Sequence, residues 1–99
     1  MRILNFIVES QALRKNGDFS NIVAGTKNYL VCGFSFNDAD WKKALKVAVF
    51  DDNIPKPIEN DFCYVPDEVT SKKSFKFYVI GKIGSTTIKT NQILVEQVV

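Results

Sequence analysis

The chain contains no histidine among its 99 residues. That absence removes the side chain most used as a general base near neutral pH, the serine and cysteine triads that depend on it, and the commonest metal ligand. Cysteine is almost as scarce. Cys32 and Cys63 are the only two, and they lack the CxxC spacing of a structural zinc motif. No apolar run approaches the roughly 20 residues needed to span a bilayer as a helix. Charge of one sign is also missing: 13 basic residues against 11 acidic ones leave a net charge of +2. Nucleic acid and anionic membranes call for a basic patch, so neither is an expected partner. The pairs Lys42-Lys43 and Lys72-Lys73 read as solvated turn residues. Gly81 and Gly84 lack the strand-to-helix context of a phosphate loop.

Acidic residues are the remaining route to chemistry. Asp38 and Asp40, and then Asp51, Asp52 and Asp61, could assemble a calcium or hydrolytic site. The EF-hand pattern fails after Asp40, where Trp41 takes a ligand position and no glycine follows. Aspartate at a strand end is a turn former, because its carboxylate bonds the nearby backbone. The sequence therefore assigns no catalytic residue, no metal and no cofactor, and the chain is expected not to be an enzyme.

What the sequence does have is aromatic and alternating. Eight Phe, three Tyr and one Trp, in a chain that is 45% hydrophobic and 24% charged, supply one globular core. The length fits a single domain over residues 1–99. In ILNFIV (3–8), Leu4, Phe6 and Val8 share an apolar face opposite Ile3, Asn5 and Ile7. Asn16-Gly17 signals a turn, with Phe19 to Ala24 as a short return strand. From Tyr29 to Phe36, Leu30, Cys32, Phe34 and Phe36 form a core row. Asn37 or Asp38 can cap one helical turn that brings Trp41 near Ala44 and Leu45. Strands at 45–50 and 62–65 follow, with a turn of helix after Pro66. Phe75 to Lys82 pairs with Thr86 to Thr90 through Gly84-Ser85, and Gln92 to Gln97 is the last strand. Pro55 and Pro57 of IPKPI cannot donate to a central ladder, which puts that segment on an edge. Its sheet, and whether that edge is free, stay open. Seven to nine short strands of this spacing predict an antiparallel β-sandwich of immunoglobulin-like type.

Cys32, Trp41 and Cys63 mimic the order found in antibody domains, but Trp41 falls in a polar connection and the cysteines are too close in sequence for opposite sheets. The start, MRILNFIVESQ, lacks a cleavable signal pattern. Folding in a reducing cytoplasm, with two free thiols acting as small hydrophobes, is the expectation. Tyr29, Tyr64 and Tyr78 each stand opposite the more apolar row of their strand, where they either pack in part or form a binding surface.

The landmarks GTKNYLVCGFSFNDADWKKALKVAVFDD, FCYVPDEVTSKKSFKFYVIG and TTIKTNQILVEQ, covering roughly 26–97, resemble small immunoglobulin-like β-sandwich proteins from the structural gene clusters of phages and prophages of Gram-positive bacteria. The likeness lies in the F-x-F strand leading to Trp41, the strand ending at Phe50, Val65-Pro66 with Glu68-Val69, and I-K-T-N at 88–91. It carries no site motif. It implies a structural or adaptor module of a tail, baseplate or fibre, contacting other phage structural proteins or itself and present in the bacterial cytoplasm during assembly, with its place in the mature virion left open. The alternative is a stand-alone domain binding a carbohydrate or a host protein.

Overall fold

A computed structural model describes all residues from Met1 to Val99. It is an all-β sandwich with two single turns of helix. The first sheet runs in the order β2 (Ala12–Lys15), β1 (Arg2–Glu9), β3 (Leu30–Phe36), β6 (Phe62–Tyr64). The second runs β5 (Ile54–Pro57), β4 (Leu45–Phe50), β7 (Ser74–Ile83), with β8 (Thr86–Lys89) and β9 (Ile93–Glu96) both pairing the far side of β7. Placing β3 and β6 in one layer and β4, β7 and β8 in the other reproduces the immunoglobulin-like split. All pairs are antiparallel except β1 with β3, which run parallel from Arg2–Leu30 to Val8–Phe36.

The faces follow the alternation. Leu4, Phe6 and Val8 of β1 and Leu30, Cys32, Phe34 and Phe36 of β3 point inward onto Ala48, Phe50, Phe75, Phe77 and Val79. Phe77 is the hub, with its ring 4.9 Å from Phe6, 5.1 Å from Phe50 and 6.1 Å from Phe34. Edge-to-face and offset contacts of this kind add to plain area burial. Cys32 and Cys63 are both free and lie on neighbouring strands of one sheet, so no bridge joins the layers and the antibody-type core is absent.

Three local expectations need correction. The return strand precedes Asn16-Gly17: Ser10 and Gln11 make the turn, and Ala12–Lys15 folds back on β1. Ser10 takes a positive φ of 54°, a conformation that non-glycine residues seldom adopt and that no pattern of residue types announced here. Phe19 to Ala24 is not a strand and contributes only the single bridge Val23–Val98. The helical turn α1 (Ala39–Lys43) has Asp38 at its N-cap, but that carboxylate accepts the Ser10 N–H instead of capping the helix. Trp41 is buried beside Ala44, whereas Leu45 is 81% exposed. The second turn, α2 (Asp67–Thr70), begins after Pro66 as expected.

Each of the four sheet edges is interrupted, by a different device. In β5, Ile58 donates to Lys46 at 2.9 Å, which turns the nitrogens of Pro55 and Pro57 away from β4. The prolines thus leave that free edge without donors at two positions. On β6, Phe62 exchanges both backbone bonds with Glu59. β8 and β9 are separated by a bulge, where three steps along β7 face four on its partner. There Thr90 donates to the Val79 carbonyl and its Oγ1 accepts from the Val79 N–H. Asn91, thrown out by this bulge, seals β2: its Oδ1 accepts the Leu13 N–H at 2.8 Å and its Nδ2 donates to the Leu13 carbonyl at 3.1 Å. One side chain therefore completes the ladder of one sheet from the strand of the other. Asn91→Ala leaves both Leu13 groups without this partner, and urea denaturation is expected to show a loss of about 2 kcal/mol.

Candidate functional site

The side of the first sheet that faces away from the core is the least explained surface of the molecule. Register stacks its residues in rows across three strands: Ile3, Val31 and Tyr64, then Asn5, Gly33 and Phe62. Tyr29, two residues before Val31 on the same face, lies beyond the first row toward the start of β3, its carbonyl accepting from the Arg2 N–H at 2.9 Å. Ile3, Tyr29, Phe62 and Tyr64 are each 45–49% exposed, and Val31 is buried between them. Glycine at position 33 makes this surface continuous. A Cβ there would lie 3.0 Å from Ile3 Cγ2 and 3.1 Å from Phe62 Cε1, so these two side chains already close over the bare backbone. Polar neutral side chains, Asn5 and Ser35, accompany the apolar ones on this face. On the β2 side of this face charge appears at the Arg14–Glu9 pair, an exposed 2.7 Å contact between β2 and β1.

Beside Phe62 and Tyr64 the open flank between the two sheets forms a groove of about 420 Å³, with Val31 and Pro57 in its lining and Lys56 and Glu59 among its polar groups. The outer side of the second sheet mixes exposed apolar side chains, Leu45 and Leu94, with charge. It carries Lys76, Lys82, Lys89 and Glu96, and its tyrosine, Tyr78, has the Lys89 ammonium 4.4 Å above the ring. Of the three tyrosines singled out by alternation, Tyr29 and Tyr64 therefore belong to one exposed apolar strip and Tyr78 does not. Phe62 and Ile3 complete the strip. Phe62 could have been found from the same alternation, since it shares a face with Tyr64 opposite the buried Cys63.

The acidic residues are engaged in holding turns. Asp51, Asp52 and Asp61 take positive φ angles of 49°, 67° and 65°. Asp51 accepts the Lys76 N–H at 3.1 Å and pairs with Lys72 at 2.7 Å. Asp52 pairs with Lys76 at 3.1 Å and accepts from Gln92 at 2.6 Å. Asp38 and Asp40 line a cleft of about 490 Å³ with Ser10, Gln11, Trp41 and Thr87, but the Trp41 ring is buried, and its Nε1–H donates to the Ser10 carbonyl at 2.6 Å. It offers no stacking surface. No group of three His, Cys, Asp or Glu side chains gathers anywhere in the chain, and no helix is long and apolar enough to cross a membrane.

Two exposed carboxylates sit below their ordinary range. The Ser20 hydroxyl and N–H hold Asp18 down, and the Lys76 ammonium bonded to Asp52 does the same there, helped by Gln92. A folded pKa below the unfolded one means that the stabilisation is present above the unfolded value of about 3.8 and is lost as pH falls through the folded value. Thermal unfolding followed from pH 7 to pH 2 should therefore show the melting temperature dropping below about pH 4, with a smaller drop over that window in Asp52→Asn.

Comparison with protein-family models, with curated proteins and with solved structures finds no match to this chain. Its own surface is therefore the guide to function.

Proposed function

We propose that this domain is a non-enzymatic interaction module, a structural or adaptor subunit of a phage- or prophage-derived particle, which docks to a neighbouring protein through the outer face of its first sheet. The observation that carries the reading is the uncharged strip of Ile3, Tyr29, Phe62 and Tyr64. Aromatic residues concentrated in a patch with charge only at its rim, where Lys56 and Glu59 stand beside Phe62 and Tyr64, match the composition of an interface centre. Interrupted edges narrow the mode of contact further. Strand addition needs a continuous open ladder, and the prolines, Glu59, Asn91 and the bulge shorten what each side offers. That favours face-to-face packing, and repetition in a symmetric particle would give a small patch avidity. The particle itself is suggested by the resemblance of the F-x-F, Trp41 and I-K-T-N landmarks to phage structural modules.

The three exposed rings also favour a second reading, a carbohydrate platform, since sugar faces stack on aromatic side chains. Ile3 within the strip weighs against it, because an aliphatic side chain gains from an apolar protein surface and not from hydroxyls. Particles induced from the source strain and purified by density gradient test the first reading by mass spectrometry. The chain is expected at a fixed ratio to other particle proteins. Its absence from intact particles, together with measurable glycan binding by the isolated domain, would replace that reading with the second.

A further inference from the structure

Cys32 on β3 and Cys63 on β6 are direct cross-strand partners. The bonds on either side of them, Phe34 N–H to the Asp61 carbonyl at 2.9 Å and Val65 N–H to the Leu30 carbonyl at 3.0 Å, place the pair at a hydrogen-bonded position of the ladder. At such positions the two Cα atoms stand about 5.5 Å apart, inside the roughly 4.4–6.8 Å range a disulfide spans. The Cβ atoms, however, start near the wide end of the roughly 4.5–5.5 Å cross-strand range and must close to about 3.5–4.5 Å, so bridging requires the edge strand β6 to shift toward β3. Both side chains leave the same face of the sheet toward the core, where the two thiols are neighbours. Their surroundings differ. Cys32 is wholly enclosed at the centre of the sheet, while Cys63 is on a three-residue edge strand and borders the groove beside Phe62 and Tyr64.

We infer that Cys32 and Cys63 constitute a dithiol site that closes to an intramolecular disulfide by exchange with a small-molecule disulfide such as oxidised glutathione. In the first step the Cys63 thiolate attacks one sulfur of glutathione disulfide. A Cys63–glutathione bond forms, the glutathione S–S bond breaks, and one glutathione thiolate leaves. In the second step the Cys32 thiolate attacks Cys63 Sγ, forming the protein disulfide and expelling the second glutathione thiolate. Two protein thiols are oxidised, one disulfide is reduced to two thiols, and the two protons pass to the departing thiolates. Cys63 goes first because it lies at the edge. Burial raises the Cys32 thiol well above its ordinary value, and the neighbouring Cys63 thiol raises it further, so the enclosed thiol is a poor first nucleophile. β6 has one strand partner, β3, and on its other side only the Phe62–Glu59 bridge of its own turn, so its local opening admits the reagent without unfolding the sandwich. Because β6 carries Phe62 and Tyr64, closure would also fasten half of the proposed docking strip to the centre of the sheet. That consequence rests on the docking reading, but the thiol chemistry does not.

The test incubates the folded wild-type chain with oxidised glutathione at about pH 8, near the ordinary thiol pKa, quenches with iodoacetamide and measures intact mass. The expected product has lost two hydrogens and carries neither glutathione nor an alkyl group. It should melt roughly 5–15 °C higher than the reduced chain. Cys32→Ala should stop at the first step and retain one glutathione on Cys63, whereas Cys63→Ala should stay unmodified at Cys32. Recovery of two alkylatable thiols, a wild-type chain stalled with glutathione attached, or linkage only between separate chains would each overturn the inference. Glutathione on Cys32 in Cys63→Ala would overturn the order of attack. The wild-type mass decides the matter even if a variant fails to fold. Disulfide formation in a chain that never enters particles would leave the dithiol site standing and remove the docking reading alone.

Discussion

Replacing Phe77 with alanine is expected to lower the unfolding free energy by about 3–5 kcal/mol, read as a shift in the midpoint of urea denaturation without a change in slope. Phe77 is fully buried and touches aromatic partners from both layers: Phe6 and Phe34 from the first sheet, Phe50 from the second. Truncation loses the transfer energy of the ring and leaves a cavity that neighbouring β-strands, held by ladders on both sides of β7, cannot close. A domain of this size has about 5–15 kcal/mol in total, so the variant would be near its folding limit at physiological temperature. Phe19→Ala is the matched control. Its ring meets Phe6 edge-on at 5.2 Å from a loop and is only partly buried, so its loss should cost clearly less.

Gly81→Ala should also destabilise, by about 2–3 kcal/mol, and the sign is the informative part. In an unobstructed strand, alanine for glycine is stabilising, because it reduces the freedom of the unfolded chain. Here the new Cβ would stand 2.6 Å and 3.0 Å from two ring carbons of Trp41 and 3.1 Å from the Ala44 Cβ. The indole has nowhere to move. It is stacked on Phe36 at 5.5 Å and tethered by its Nε1–H to Ser10. The glycine is thus required by the residue that packs over it and not by any unusual backbone angle. A double-mutant cycle makes the claim specific: in a Trp41→Phe background the smaller ring should tolerate the added methyl group, so the two losses should fall well short of adding. Additive losses would mean that Gly81 matters for some reason other than Trp41.

The inner face of the sandwich was legible from alternation alone. Leu4, Phe6 and Val8, and the row Leu30 to Phe36, are core because period-two spacing forces them to one side of a strand and they are apolar. The edge position of Pro55 and Pro57 was legible for an equally local reason, the missing donors. What could not be read were features that need two distant segments. The parallel pairing of β1 with β3 depends on the β2 detour, whose turn at Ser10-Gln11 carries neither Gly nor Pro, while the stronger signal at Asn16-Gly17 lies one strand later. Asp38 left its helix for Ser10, and Asn91 reaches β2 across the gap between the sheets; both are contacts between residues far apart in sequence. The apolar strip was half visible. Tyr29 and Tyr64 stood out by alternation, but Gly33, which lets Ile3 and Phe62 meet over β3, acquires its meaning only from the register of three strands.

The central claim is that the outer face of the first sheet is the docking surface. It is tested most directly by a Phe62→Ser, Tyr64→Ser double variant expressed in place of the wild-type chain, with its amount in purified particles measured by quantitative mass spectrometry. Both side chains stand outside the core, so the circular dichroism spectrum should be unchanged and the melting temperature close to that of the wild type. The account predicts a folded domain that fails to enter particles, with its level reduced at least about tenfold, the equivalent of about 1.4 kcal/mol of lost binding. A folded double variant present at the wild-type ratio would contradict it and leave the strip without a role in assembly.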